Sequence, residues 1–133
     1  MPAEFLLARS IPRKLNIKQQ SAFWRVFASR SFRPVPAITE VAYLLARDIG
    51  NDAAADFISS LADTELILEA PLAEDYLRSA EILRQYADAN LDFVDALIAA
   101  TAERLNIKQL LTLDRRDFQL IRPRHCDGFE LLP

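Results

Sequence analysis

The chain has 133 residues, a length typical of one compact domain, and we expect a single domain over residues 1–133. Apolar side chains make up 51% of the residues and charged side chains 26%, a composition typical of a folded protein rather than a disordered one. With two glycines, one histidine and one cysteine, the sequence excludes a glycine-rich phosphate loop, a closed zinc site and a disulfide framework, and its 19 acids favour hard-metal or acid-base chemistry.

Helix-like and strand-like stretches alternate along the chain, after a short apolar run at residues 5–8. Apolar periodicity predicts helices at residues 16–29, 52–61, 73–87 and 91–105, and one more that begins at Ala37 or Thr39 and ends before Gly50. β-like runs predict strands at residues 65–70, 109–113 and 129–132. Strands separated by helices imply parallel pairing, so the sequence predicts an α/β sandwich with helices flanking a parallel sheet.

The predicted helix at residues 91–105 is so apolar that we expect it to be largely buried, with Asn90 as its N-cap. No uncharged apolar stretch approaches the roughly 20 residues that a membrane span needs, and the N-terminal apolar run is too short for a signal peptide. We therefore expect a cytoplasmic protein.

Charge is distributed unevenly along the chain. Residues 1–33 carry seven basic side chains and one acid, residues 34–114 carry five basic side chains and 15 acids, and residues 115–133 carry four basic side chains and three acids. This pattern has two interpretations, a solvated surface of uneven charge or an acidic metal-binding centre surrounded by bases that bind phosphates.

Four carboxylates fall where predicted helices begin or a predicted strand ends. Glu40, Asp92 and Asp95 lie in first helical turns, and Asp114 directly follows the strand at residues 109–113. Binding sites gather at the carboxyl ends of parallel strands, so these acids are candidate metal ligands. Each also has a structural interpretation, because first-turn acids offset the helix dipole and Asp114 with Asp117 can cap a short helical turn.

Three segments carry these acids: Thr39-Glu40 opening an apolar helix, LDFVDALIAATAE at residues 91–103, and LTLDRRDF at residues 111–118. They resemble the second, third and fourth acidic motifs of PIN-domain ribonucleases, and most closely the VapC-type toxins of toxin-antitoxin pairs. The resemblance covers about residues 5–132, with the order and spacing of the motifs intact. It implies a PIN-like three-layer sandwich.

The resemblance also implies a metal site and its ligands. It implies that Glu40, Asp95 and Asp114 are the catalytic metal ligands, with Asp92 as a further metal-site acid, and that the metal is Mg²⁺ or Mn²⁺. It implies accessory roles for Thr39, Thr112 and Asp117.

The same resemblance implies what the protein acts on and binds. The expected activity is endoribonuclease cleavage by the toxin of a type II toxin-antitoxin pair, with Arg115 and Arg116 gripping the RNA substrate. The expected protein partners are a VapB-like antitoxin and a second copy of the chain in a homodimer.

One family motif has no counterpart. The first motif is an Asp on an N-terminal strand, and aligning its apolar run with residues 5–8 puts that Asp at about Pro2, where the nearest acid is Glu4. We therefore expect a first strand that is short or missing, through a late start codon or a lost ligand, with the centre of the sheet partly unpaired and activity impaired. The alternative function is a catalytically silent PIN-like module that binds RNA or a protein.

Overall fold

A computed structural model describes residues 5–7, 32–62, 67–111 and 115–132 of the chain. Within these residues, five short strands form one parallel sheet with the order β3-β2-β1-β4-β5. The strands are β1 Phe5–Leu7, β2 Phe32–Pro34, β3 Ile67–Glu69, β4 Gln109–Leu111 and β5 Glu130–Leu132. The predicted parallel sheet is confirmed.

The first strand is short, as expected, but it is present at the centre of the sheet. β1 pairs with β2 through Leu6 and Phe32, and with β4 along its whole length, where Leu7 lies opposite Leu111. Both edges of β1 therefore contribute to the hydrogen-bonded ladder, and the expectation of an unpaired centre is wrong. The three residues at positions 5–7 are enough to build this strand because the sheet needs only short strands throughout.

Helices alternate with the strands, as the periodicity predicts. They are α1 Val35–Asp48, α2 Asn51–Ser60, α3 Ala73–Gln85, α4 Phe93–Leu105 and α5 Arg116–Leu120, with a 3₁₀ turn at Ala87–Ala89. The helix predicted at residues 16–29 lies outside the described residues. Among the helices in the described ranges, none has the length and apolarity needed to cross a membrane.

Helix α1 begins at Val35, two to four residues earlier than predicted. The two prolines at positions 34 and 36 suggested a break in the chain, but Pro34 acts as the N-cap residue and Pro36 lies in the first turn. A first-turn residue needs no backbone N–H, so proline is compatible with helix at that position. This earlier start moves Glu40 from the first turn of the helix into the second.

Helix α4 begins two residues later than predicted, at Phe93. Its N-cap is Asp92, whereas Asn90 has a φ of 55° and ends the preceding 3₁₀ turn in the left-handed region. Asparagine tolerates that conformation better than most residues, which explains why the expected cap serves as a terminator instead. The prediction that α4 is buried is confirmed, since every residue from Asp95 to Ala102 is buried.

The far end of α4 is held by ion pairs. The Nε of Arg104 lies 3.0 Å from both carboxylate oxygens of Asp75, and its Nη2 lies 2.7 Å from Oε1 of Glu69. Asp75 is 1% exposed and also accepts a hydrogen bond from the Leu72 N–H, which secures the start of α3. The hydrogen bond that Arg104 donates to Asp75 is the largest influence that raises the pKa of Arg104 above its usual value. Its guanidinium therefore stays charged.

One apolar cluster joins helices α1, α4 and α5 to strand β4. It contains Ala37 of α1, Ile98 and Ala102 of α4, Leu110 of β4 and Phe118 of α5, all at most 1% exposed. Because the alanine side chains are small, the helix backbones can approach each other closely here. This cluster fixes the relative positions of the helices and the strand that carry the predicted site acids or lead directly to them.

Candidate metal centre

Glu40 is half-buried in the second turn of α1. The structure places no acid in the first turn of this helix, so offsetting the helix dipole does not account for Glu40. Ala37 lies three residues earlier on the same helical face and packs into the cluster with Ile98 of α4. The face of α1 that carries Glu40 is therefore directed towards α4. Thr39 is exposed, and its hydroxyl donates to the Val35 carbonyl at 3.4 Å.

Asp95 lies in the first turn of α4 and is 6% exposed. It shares a face with Ile98 and Ala102, three and seven residues further along the helix, and these are the residues that pack against Ala37. Burial of a carboxylate requires compensating positive charge, of which the N-terminus of α4 supplies a part. Glu40 and Asp95 thus lie on the helical faces that meet in the shared cluster.

Asp92 has a defined structural role. As the N-cap of α4 it accepts a hydrogen bond at Oδ1 from the Val94 N–H, at 2.8 Å. One of its carboxylate oxygens is therefore occupied by the helix. Asp92 serves the site at least by holding the start of the helix that carries Asp95.

Thr112 and Asp114 lie outside the described residues, on the connection between β4 and Arg115. Among the described residues, no group of three or more acids, histidines or cysteines lies close enough together to hold a metal ion. The convergence of Glu40, Asp95 and Asp114 therefore stays a prediction. Leu111, the last residue of β4, does lie at the carboxyl edge of the sheet, beside Leu7 of β1. The segment that continues in sequence from Leu111 to Asp114 therefore begins at the edge where parallel sheets usually carry their binding sites.

Two of the residues next to Asp114 differ in their surroundings. Arg115 has an exposed side chain. Arg116 is also exposed, but it donates to the carboxylate of Asp117 and to the Ala89 carbonyl. These contacts give Arg116 a structural role, so Arg115 is the better candidate of the two for a direct contact with phosphate.

A polar cleft of about 480 Å³ lies between α3, α4 and the C-terminal segment. Ion pairs join several of its charged side chains; Arg78, for example, donates to both oxygens of Glu103 at 2.8 and 3.0 Å. That hydrogen bond is the main influence raising the pKa of Arg78. No local sequence pattern predicts these cross-helix pairs. None of the predicted site residues lines the cleft.

Comparison with known proteins identifies the family of the chain. The sequence model of the PIN domain matches residues 9–122. The chain belongs to the PIN domain family. It is 31% identical over 96 residues to ribonuclease VapC26 of Mycobacterium tuberculosis, an alignment that covers 72% of this chain and 71% of that protein.

A solved structure of a PIN relative supports the fold. The crystal structure of VapC20 of Mycobacterium tuberculosis, described as a sarcin-ricin loop cleaving toxin, superposes with a TM-score of 0.68. The match covers 84% of this chain and 90% of that chain at 17% sequence identity. The predicted PIN-like sandwich is therefore confirmed.

The direction of β1 corrects the position expected for the first PIN acid. β1 is parallel to β4 and ends at Leu7, so an acid at the carboxyl edge must follow Leu7 rather than precede Phe5. The residue that follows Leu7 in the sequence is Ala8, and not Pro2. Pro2 precedes the strand and lies outside the described residues, so its alignment with the first motif acid stays a prediction, one that the direction of β1 disfavours.

The donors of the PIN site suit a hard cation. Glu40 and Asp95 offer carboxylate oxygens, the ligands that Mg²⁺ and Mn²⁺ prefer, and the predicted third ligand, Asp114, is of the same type. No soft sulfur or imidazole ligand is part of the predicted set. The chemistry of the residues therefore fits the divalent metal that the family resemblance implies.

The structure predicts that Asp92 contributes to stability as a helix cap. Replacing it with alanine removes the acceptor for the Val94 N–H, and we expect the free energy of unfolding to fall by about 1 kcal/mol. Asp92→Asn keeps a capping oxygen and should retain most of that stability. Urea unfolding of the two variants measures the difference. Equal losses in both would contradict the capping role.

Proposed function

We propose that this protein is a metal-dependent endoribonuclease, the toxin of a type II toxin-antitoxin pair. The observation that carries the proposal is the cluster of Ala37, Ile98, Leu110 and Phe118, which holds together every element that bears or borders a predicted site acid. The 31% identity with a protein named ribonuclease VapC26 supports ribonuclease activity.

Glu40, Asp95 and Asp114 are the proposed ligands of Mg²⁺ or Mn²⁺, with Asp92 as a further acid beside them. A divalent ion held there activates a water molecule towards a phosphodiester and neutralises the charge that develops on its oxygens. Asp95 is suited to this role because its burial restricts the side chain to few orientations. Asp92 secures the helix start, and Thr39 and Thr112 are proposed to orient neighbouring groups.

The proposed substrate is RNA, and Arg115 is its proposed phosphate contact, with Arg116 contributing next to it. Such contacts weaken as salt rises, because they release counterions from the nucleic acid. The proposed partners are a VapB-like antitoxin and a second copy of the chain. Exposed apolar side chains, among them Leu77 at 71% and Ile58 at 55%, offer surface for such partners. We expect the protein to act in the cytoplasm.

Because Ala8 is not an acid, we expect the proposed site to bind metal more weakly than a site with all four motif acids. Metal affinity in an open carboxylate site depends on summed negative charge, and Ala8 contributes none where the first motif acid is expected. This observation also favours the second candidate function, a PIN-like module that binds RNA or a protein without cleaving RNA. The two functions differ in whether RNA is cleaved when metal is added.

The first functional prediction concerns Asp95. We expect Asp95→Asn to reduce Mg²⁺- or Mn²⁺-dependent RNA cleavage by about 100-fold or more, because the substitution removes a buried negative charge from the metal site. Bound metal should also raise the melting temperature of the unaltered protein, by mass action on the folded state, and this rise should vanish in Asp95→Asn.

The matched control is Asp88→Asn, which changes the same residue type at an exposed position of the 3₁₀ turn. Its cleavage rate and metal-dependent melting shift should equal those of the unaltered protein. A melting temperature that millimolar Mg²⁺ and Mn²⁺ leave unchanged would contradict the proposed metal site.

The second functional prediction concerns the residue after β1. We expect Ala8→Asp to strengthen Mn²⁺ binding by about tenfold and to raise the cleavage rate, because it adds a carboxylate after the carboxyl end of the central strand. Pro2→Asp adds the same charge before the strand and should change neither quantity. Isothermal titration with Mn²⁺ and an RNA cleavage assay provide the two readouts. A gain from Pro2→Asp that Ala8→Asp lacks would show that the first acid belongs before β1.

A further inference from the structure

Asp117 forms a link between two parts of the chain that are distant in sequence. Its carboxylate is buried, with 8% of the residue exposed. Oδ2 accepts a hydrogen bond from the backbone N–H of Asp92 at 3.2 Å, 25 residues away. Oδ1 accepts one from Nη1 of Arg116 at 2.9 Å. Both oxygens of this acid are therefore engaged.

This geometry differs from local helix capping. The N-cap residue of α5 is Arg115, and it makes no side-chain capping hydrogen bond. Asp117 itself lies inside α5. The long-range hydrogen bond that it accepts comes from the backbone N–H of Asp92, the N-cap residue of α4. A buried carboxylate with two charge-assisted or backbone hydrogen bonds is a strong fixed contact.

The contact acts on the start of the helix that carries Asp95. Asp92 is the N-cap of α4, and its own carboxylate holds the Val94 N–H at 2.8 Å. Fixing the backbone of Asp92 therefore fixes the first turn of α4, in which Asp95 lies. On the other side, Asp117 lies three residues after Asp114 in the sequence.

Two neighbouring hydrogen bonds support the same connection. The guanidinium of Arg116 donates to the Ala89 carbonyl, and the Arg122 N–H donates to the hydroxyl of Tyr86 at 2.9 Å. Both attach the segment around α5 to the turn between α3 and α4. Of these three hydrogen bonds, the one that Asp92 donates to Asp117 involves the N-cap residue of α4 itself.

We propose that Asp117 is a positioning residue, which sets the start of α4, and with it Asp95, against helix α5. The inference rests on the proposed metal-dependent nuclease function. Asp117 acts through the backbone of Asp92 rather than as a ligand, since its oxygens are occupied by Asp92 and Arg116. Residues that orient metal ligands in this way commonly affect metal affinity by one to two orders of magnitude.

The test compares Asp117→Ala with Asp117→Asn in the full chain. Alanine removes both hydrogen bonds. Asparagine keeps an oxygen that accepts from the Asp92 N–H, although it loses the ionic contact with Arg116. If Asp117→Asn behaves like the unaltered protein, the hydrogen bond that positions α4 is what matters. If Asp117→Asn behaves like Asp117→Ala, the negative charge is what matters.

The first readout is hydrogen exchange of the Asp92 amide in the metal-free protein, followed by NMR. We expect about tenfold faster exchange in Asp117→Ala and a rate close to that of the unaltered protein in Asp117→Asn. The second readout is Mn²⁺ affinity by calorimetry, which should fall about tenfold in Asp117→Ala and much less in Asp117→Asn.

Two controls separate positioning from a general loss of stability. Asp88→Asn changes an exposed acid nearby and should leave both readouts unchanged. Asp75→Ala removes a buried acid that pairs with Arg104 at the opposite end of α4, so it should lower stability without changing Mn²⁺ affinity below the melting transition.

Unchanged Asp92 exchange and unchanged Mn²⁺ affinity in Asp117→Ala would overturn the positioning role. Equal loss of Mn²⁺ affinity in Asp117→Ala and Asp75→Ala would also overturn it, since that result reflects stability alone. Failure of the unaltered protein to bind Mn²⁺ refutes the proposed function instead, and the Asp92 exchange rates then still decide whether Asp117 holds the start of α4.

Discussion

The placement of α1 relative to α4 depends on one apolar cluster, to which Ala37 of α1 and Ile98 and Ala102 of α4 belong. Leu110 and Phe118 complete the same cluster from β4 and α5. The hydrophobic effect that forms such a cluster is non-directional, but the side chains in it are densely packed. The helices and the strand that contribute these side chains therefore have little freedom to shift. The acids are polar, yet the helices that carry Glu40 and Asp95 are held in place by these buried alanine, isoleucine, leucine and phenylalanine side chains.

Helix α4 illustrates how the polar groups are arranged around that apolar contact. Its middle is buried throughout, its N-terminus carries Asp92 and Asp95, and its C-terminal half carries Arg104, which pairs with Asp75 and Glu69. Asp95 and Arg104 are about 13 Å apart along the helix axis at 1.5 Å per residue. The ion pairs therefore secure one end of the helix, while Asp92 and Asp95 lie at the other end.

Much of this architecture follows from local sequence. The alternation of apolar runs and periodic helices predicts the parallel sheet, and the unbroken apolar stretch after Asp95 predicts the buried helix. Helix starts were predicted less well, because Pro34 and Pro36 are compatible with a first turn and because Asp92 and Asn90 are both good caps. Only the structure shows where each helix begins and which residue caps it.

The contacts of Asp117 and Arg116 could not be predicted from the sequence. They join residues that are 25 to 27 positions apart, and no local pattern specifies such a hydrogen bond. The position after β1 was also not available from the apolar run alone, because the direction of pairing with β4 decides which end of the strand faces the site. The acids themselves were visible from their motifs, whereas their geometry depends on the tertiary structure.

The central proposal is that the carboxyl edge of the sheet, and not the charge-paired cleft at the other end of α4, binds the divalent ion. Paramagnetic broadening of backbone amide signals by substoichiometric Mn²⁺ tests this claim directly in the full chain. We expect the strongest broadening at Glu40, Asp95 and Arg115, and weaker broadening at Glu74 and Glu103, which line the cleft. Broadening that is strongest at Glu74 and Glu103 and weaker at Glu40 and Asp95 would contradict this proposal.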